Sequence, residues 1–163
     1  MNSYMRQSIS FSVVLLLLGF CNVQGQTWSD RGLEYSSDKL QLIVESLGED
    51  AASIGLTKSR LQTKCELRLR QAGFTVMDSS LIPYLYVNIN IHNNSFACDV
   101  SFRRVATFLD SGNMYATRVS TWSVGSLGAH GGSASYIVES LDDKLDIFLN
   151  EFLKANPHFG GRK

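Results

Sequence analysis

Three consecutive segments between Leu85 and Val124 constrain the fold more than any other part of the chain. In the first, Leu85, Val87, Ile89 and Ile91 alternate with Tyr84, Tyr86, Asn88 and Asn90. A period of two over eight residues predicts a strand with one apolar and one wetter face. The second segment keeps the pattern, with Phe96, Cys98, Val100 and Phe102 inward and Ala97, Asp99, Ser101 and Arg103 outward. Past Arg104 the alternation slips, since Val105, Thr107 and Leu109 share the parity of the outward set. Either a β-bulge or a strand that outruns the core accounts for that slip. The third segment, Met114 to Val124, is rich in Thr and Val, which favour strands. Asn93-Asn94-Ser95 and Asp110-Ser111-Gly112-Asn113 supply the two turns, so the three strands form a meander.

A meander with one apolar face needs a layer to cover it. Two amphipathic helices are available. Thr57 reads as an N-cap and Gly73 as the glycine that ends the first helix, with Leu61, Cys65, Leu69 and Ala72 on its inner stripe and Leu67 widening it. The second runs from about Ser135 to Ala155, with Val138, Leu141, Leu145, Phe148 and Phe152 inward and Ile137, Leu149 and Leu153 alongside. Asp142, Asp143, Asp146, Asn150 and Glu151 are expected to face water, and Asn156-Pro157 stops the helix. Ahead of them Leu40, Leu42 and Val44 alternate with Gln41, Ile43 and Glu45 as a further strand, and FTVMDSS reads as a short extended piece. The expected fold is α+β: a largely antiparallel sheet with both helices on one face, in the order β-α-(β)-β-β-β-α.

The N-terminus departs from this pattern. Arg6 precedes an apolar run of about ten residues ending at Phe20, the length of a signal-peptide core and too short to span a bilayer. Val23 and Gly25 place small residues for a cut before Gln26. Residues 1–25 are therefore expected to be a cleaved signal peptide and 26–38 a flexible leader. Residues 39–157 are expected to form one domain and 158–163 a disordered tail. Leu18-Gly19-Phe20-Cys21 offers a lipoprotein alternative anchored at Cys21, although a bulky Phe precedes the cysteine. The expected location is the periplasm or the exterior, with no transmembrane span after cleavage. Export leaves Cys65 and Cys98, an even pair on inward faces, and a disulfide between them is expected.

Charge narrows the partners. Fifteen basic and fifteen acidic residues cancel, which argues against nucleic acid, and the basic residues Lys58, Arg60, Lys64, Arg68 and Arg70 read as a solvated helix face. Two surfaces remain as candidates. One is the outer sheet face, where Tyr84, Tyr86, Asn88 and Arg103 combine residue types that anchor protein interfaces. The other is a glycine-rich loop over residues 125–135, with Gly125, Gly128, His130, Gly131, Gly132, Ser133 and Ser135 at the start of a helix, a setting that suits an anion or small ligand. A hydrolytic variant would add Ser123, Ser126 and Asp142 or Asp143. His92, His130 and His158 lack ligand spacing, so neither a metal nor a cofactor is expected.

The segments LRLRQAGF, LYVNINI, TWSVGSLGAHG and LDIFLNEFLKANP together resemble a group of small exported bacterial α+β proteins of unassigned role, over roughly residues 40–157. The order of elements is also similar to envelope modules such as the N-terminal domain of the Tol-Pal translocation protein. The signal peptide, the compact α+β pattern and the absence of a catalytic set together point to a non-enzymatic binding or structural module of the cell envelope, acting on an unknown protein or envelope component.

Overall fold

The computed structural model describes residues 32–159. The signal peptide, Cys21 and the end of the tail lie outside them. Its elements are β1 (Lys39–Val44), α1 (Asp50–Ser53), α2 (Lys58–Gln71), β2 (Thr75–Val76), β3 (Tyr84–His92), β4 (Ser95–Asp110), β5 (Asn113–Ala129) and α3 (Ala134–Ala155). The strands form one sheet in the order β2-β1-β3-β4-β5. The long pairings, β3 with β4 and β4 with β5, are antiparallel. β1 pairs in parallel with both β2 and β3. Parallel neighbours need a crossover, and between β1 and β2 the segment carrying α1 and α2 supplies it. The α+β class holds, with a short parallel margin on the antiparallel meander.

Local chemistry sets the boundaries. The Thr57 hydroxyl accepts the Arg60 N–H at 3.3 Å and caps α2, and Gly73 adopts φ 99° just past its end. Ser111 and Gly112, with φ of 49° and 82°, form a two-residue turn whose twist matches the β4–β5 hairpin.

α2 and α3 cover the same sheet face. Leu61, Cys65 and Leu69 of α2 and Ile137, Leu141, Leu145, Phe148 and Phe152 of α3 are buried with Leu85, Val87, Cys98, Val100 and Phe102 of the sheet. At the C-terminal end of α3 the packing is aromatic. Phe74 lies 4.8 Å from Phe152, Trp122 5.4 Å from Phe148, and Phe102 6.0 Å from Phe148, between ring centroids. Phe159, expected in a disordered tail, closes the cluster at 4.6 Å from Phe74.

Several polar expectations change. Asp142 and Asp146 do not simply face water: they pair with Lys64 and Arg68, two of the five basic residues of α2, and so tie it to α3. Glu151 accepts the Trp122 indole N–H at 2.6 Å. Leu67 and Leu153 stand outside the core, at 56% and 41% exposure.

Residues 32–38, expected to be a flexible leader, are part of the body. Leu33 is fully buried, and Tyr35 packs 6.3 Å from Phe102. The Arg104 guanidinium donates to the carbonyls of Glu34 and Gly32 at 2.9 and 3.0 Å. Asn156 donates to the Leu33 carbonyl at 2.9 Å and accepts the Tyr35 N–H at 2.7 Å. Gly32 is required by close approach, because a Cβ there would sit 2.1 Å from the Thr121 carbonyl oxygen.

Phe148→Ala should cost about 3–5 kcal/mol, since it empties the middle of the ring cluster. Leu67→Ala should stay within roughly 0.5 kcal/mol. Urea unfolding of both variants checks the difference, and a costly Leu67→Ala would contradict its placement outside the core.

Candidate functional site

The sheet face turned away from the helices follows from the register. Tyr84 pairs with Arg103, Tyr86 with Ser101, Asn88 with Asp99 and Asn90 with Ala97. Directly opposed residues of antiparallel strands share a face, so the expected outer set does lie together. β5 extends it with Ser123 opposite Ser101, Gly125 opposite Asp99 and Leu127 opposite Ala97.

Within this face the aromatic and basic side chains are interlocked. The Arg103 guanidinium carbon lies 4.0 Å from the Tyr86 ring centroid, and its Nε donates to the Ser101 hydroxyl at 3.1 Å. Arg118 lies 5.1 Å from the Tyr84 ring and donates to the Ser80 carbonyl at 2.9 Å. The two tyrosine rings meet edge-on at 6.5 Å. Cations over aromatic faces are held by the ring quadrupole, so these four side chains fix one another in place. Tyr84 is the exception to the expected exposure: it is buried, with Arg118 over its ring. Tyr86, Asn88 and Arg103 remain partly open, and Asn90, Asp99 and Leu127 are exposed.

The glycine-rich segment is not the loop that the sequence suggested. Gly125 and Gly128 are strand positions inside β5. A Cβ on Gly125 would meet the Asp99 carboxylate at 2.1 Å, and one on Gly128 would meet the Phe96 ring at 2.8 Å. Each glycine therefore makes room for a side chain lying across from β4, on opposite faces of the sheet. Only His130 to Ser133 form the turn, where Gly131 and Gly132 take φ of 56° and 80°. His130 is buried and committed: Nε2 lies 2.7 Å from the Asn93 carbonyl, and Nδ1 accepts the Gly132 N–H at 3.1 Å. With Nδ1 accepting, Nε2 carries the proton and donates. Ser133 caps α3 by accepting the Ser135 N–H at 3.3 Å, and the two hydroxyls lie 2.7 Å apart.

The hydrolytic variant is dispersed as well. Ser126 lies 2.9 Å from Ser140 beneath α3, Ser123 belongs to the opposite face, and Asp142 pairs with Lys64. Among the described residues, no group of three His, Cys, Asp or Glu side chains is placed to hold a metal ion.

No protein-family profile matches the chain, and no curated protein does. A solved structure, the minor lipoprotein from Acinetobacter baumannii, is similar over 78% of this chain and 94% of its own, at 11% identity and a TM-score of 0.23. That likeness is too loose to transfer a fold or a role. No described helix is long and apolar enough to cross a membrane.

Cys65 and Cys98 face the core as expected, but they are free thiols and the expected bridge is not formed. Burial pushes Cys65 from 9.0 up to about 12, with Cys98 and Asp142 adding to the rise. Burial likewise raises Cys98 to about 11, partly offset by Lys144. Both are protonated and unreactive at neutral pH.

One surface was not among the candidates, although a strand outrunning the core was one of the two readings of the slip after Arg104. Beyond the Tyr84–Arg103 pair β3 has ended, yet β4 and β5 continue together to Asp110 and Asn113. The result is a two-stranded arm with Val105, Phe108, Leu109, Met114 and Tyr115 exposed. The slipped alternation after Arg104 was its only sequence signal. The register irregularity lies between Phe102 and Arg103, with Thr121 as the extra residue on β5, so β4 itself alternates without a break.

Two predictions follow from these placements. Gly128→Ala should destabilise by about 1–3 kcal/mol, because the buried Phe96 ring must move. Gly125→Ala should cost less, since Asp99 is exposed and can swing aside; thermal melts of the two compare them. The folded thiols hold their protons longer than unfolded ones, so their contribution is complete below pH 9.0 and is lost as pH rises toward 11 and 12. The loss is at most ~1.4 kcal/mol per pH unit per thiol. Cys98→Ala should flatten the alkaline decline of urea stability, and an unchanged slope would contradict the assignment.

Proposed function

We propose that this protein is an exported, non-enzymatic binding module of the cell envelope whose partner docks on the helix-free sheet face around Tyr86, Asn88 and Arg103. The observation that carries this reading is the preset stack of Arg118, Tyr84, Tyr86 and Arg103. A side chain already fixed by its neighbours loses little entropy on association, which is where interface anchors gain their effect. Asn88, Asn90 and Asp99 add hydrogen-bonding groups around the stack, in the arrangement of a polar rim. The absence of catalysis in this proposal is supported by the commitment of His130, Ser126 and Asp142 to structural bonds. Export is supported by the charged start, apolar run and small residues of positions 1–25.

A photo-crosslinking residue at Asn88 should capture a discrete adduct in cells, whereas one at Glu139 on α3 should not. Tyr86→Ala and Arg103→Ala should each weaken that adduct roughly ten-fold or more while leaving the far-UV spectrum intact. Open-face positions that capture nothing, or variants without effect, would sink the proposal. The same preparation should begin at Gln26, read by intact mass.

A further inference from the structure

The arm formed by Arg103–Asp110 and Asn113–Ser120 is tied to the body at its base by Arg103, Arg104 and Arg118, and beyond them it runs on as two strands alone. At ~3.3 Å per residue it projects by roughly 25 Å. A hairpin of two strands is marginal in water by itself; a third or fourth strand is what normally stabilises it. This one is also unusually apolar. Val105 is 51% exposed, Leu109 and Met114 76% each, and Phe108 and Tyr115 about half.

We infer that the arm is a homodimerisation element, in which β5 pairs antiparallel with β5 of a second copy about a two-fold axis at Ala116. Among the described residues no strand pairs with the far side of β5. Over the arm that edge has few of the devices that normally keep edges apart. From Asn113 to Ala129 there is no Pro, Lys, Asp or Glu, and Arg118 is the only charge. The irregularity at Thr121 sits at the root of the arm and leaves Asn113–Ser120 regular.

The register is set by charge. Pairing about Arg118 would oppose two guanidinium groups. Pairing about Ala116 instead places Arg118 beside Met114 of the second copy, and Tyr115 beside its Thr117. Arg118 is already held by the Ser80 carbonyl and the Tyr84 ring, so it presents its aliphatic stem to that methionine. On one face of the resulting four-stranded ribbon, Leu109 and Met114 then continue into Arg118 and Val105 of the other copy. Ala116 at the axis leaves room for close approach.

Edge pairing covers the free N–H and C=O groups of β5 and the flanks of Met114, Tyr115 and Arg118 in both copies, while Val105, Phe108 and Leu109 stay on β4, one strand from the seam. A contact of this kind lies at the small end of specific interfaces, which suits a dimer that comes apart in the micromolar range. A lipid surface fits less well. Insertion would have to carry the Asp110 carboxylate and the polar Ser111, Gly112 and Asn113 in ahead of the apolar band.

Sedimentation velocity of the purified protein should show a dimer that dissociates in the micromolar range. Met114→Lys, placed beside Arg118 of the other copy, should weaken it at least roughly ten-fold, and Met114→Glu should not. Leu127→Lys, on β5 outside the arm, should leave it unchanged. Ala116→Cys should cross-link to itself on mild oxidation, because opposed Cα atoms stand ~5 Å apart; Leu127→Cys should not. The native thiols are buried and do not compete. A monomer at all concentrations up to about 100 µM overturns the inference. So does a dimer indifferent to Met114→Lys, cross-linking at position 127 instead of 116, or a monomer whose arm binds anionic vesicles.

Discussion

The body of this protein depends on the rings that α3 presses onto the sheet. Phe148 and Phe152 meet Phe102 and Trp122 from the strands and Phe74 from the end of α2. These contacts join elements that are far apart in sequence, so neither the meander nor the helices would be anchored without them. The same end of the molecule receives Leu33, Tyr35 and Phe159. Burial of large aromatic surfaces carries a disproportionate share of core stability. Polar groups around the cluster fix its geometry: Trp122 to Glu151, Asn156 to Leu33 and Tyr35, and Arg104 to Gly32 and Glu34.

Concentrating stability there leaves two surfaces uncommitted. Among the described residues, the helix-free face has side chains arranged but not covered, and the β4–β5 arm extends past every other strand. The first exists because α2 and α3 pack on the same side of the sheet, and the second arises from a mismatch of length. β3 pairs with β4 only up to Arg103, whereas β4 runs on to Asp110. Had the strands been equal, there would be no arm.

Much of the fold was legible because its signals are local. Alternation in LYVNINI, the Thr57 cap, Gly73 and the Ser111-Gly112 turn each depend on neighbours within a few residues. The misread features depend on partners far along the chain. Gly125 and Gly128 look like a loop until Asp99 and Phe96 are seen lying over them. A lone Leu33 in a polar stretch has no period, and its burial is decided by Arg104, Asn156 and the ring cluster. Lys64 and Arg68 read as solvated until α3 brings Asp142 and Asp146 opposite. The arm was half-legible, as one of two readings of the slip after Arg104, because its exposure is set by where β3 stops. Of the candidate site, the common face of Tyr86, Asn88 and Arg103 was readable from parity, while its cation-over-ring stacking was not.

Gly32 has a mechanical consequence. Its carbonyl accepts from both Arg104 and Thr121, at the point where the arm leaves the body. Whatever precedes this residue therefore begins at the arm's root, beside the irregularity in β5. Tension drawn through the N-terminus would reach those two side chains first and the ring cluster afterwards. The start of the described chain and its outermost ribbon thus share one fulcrum, and a pull on the first would be a torque on the second.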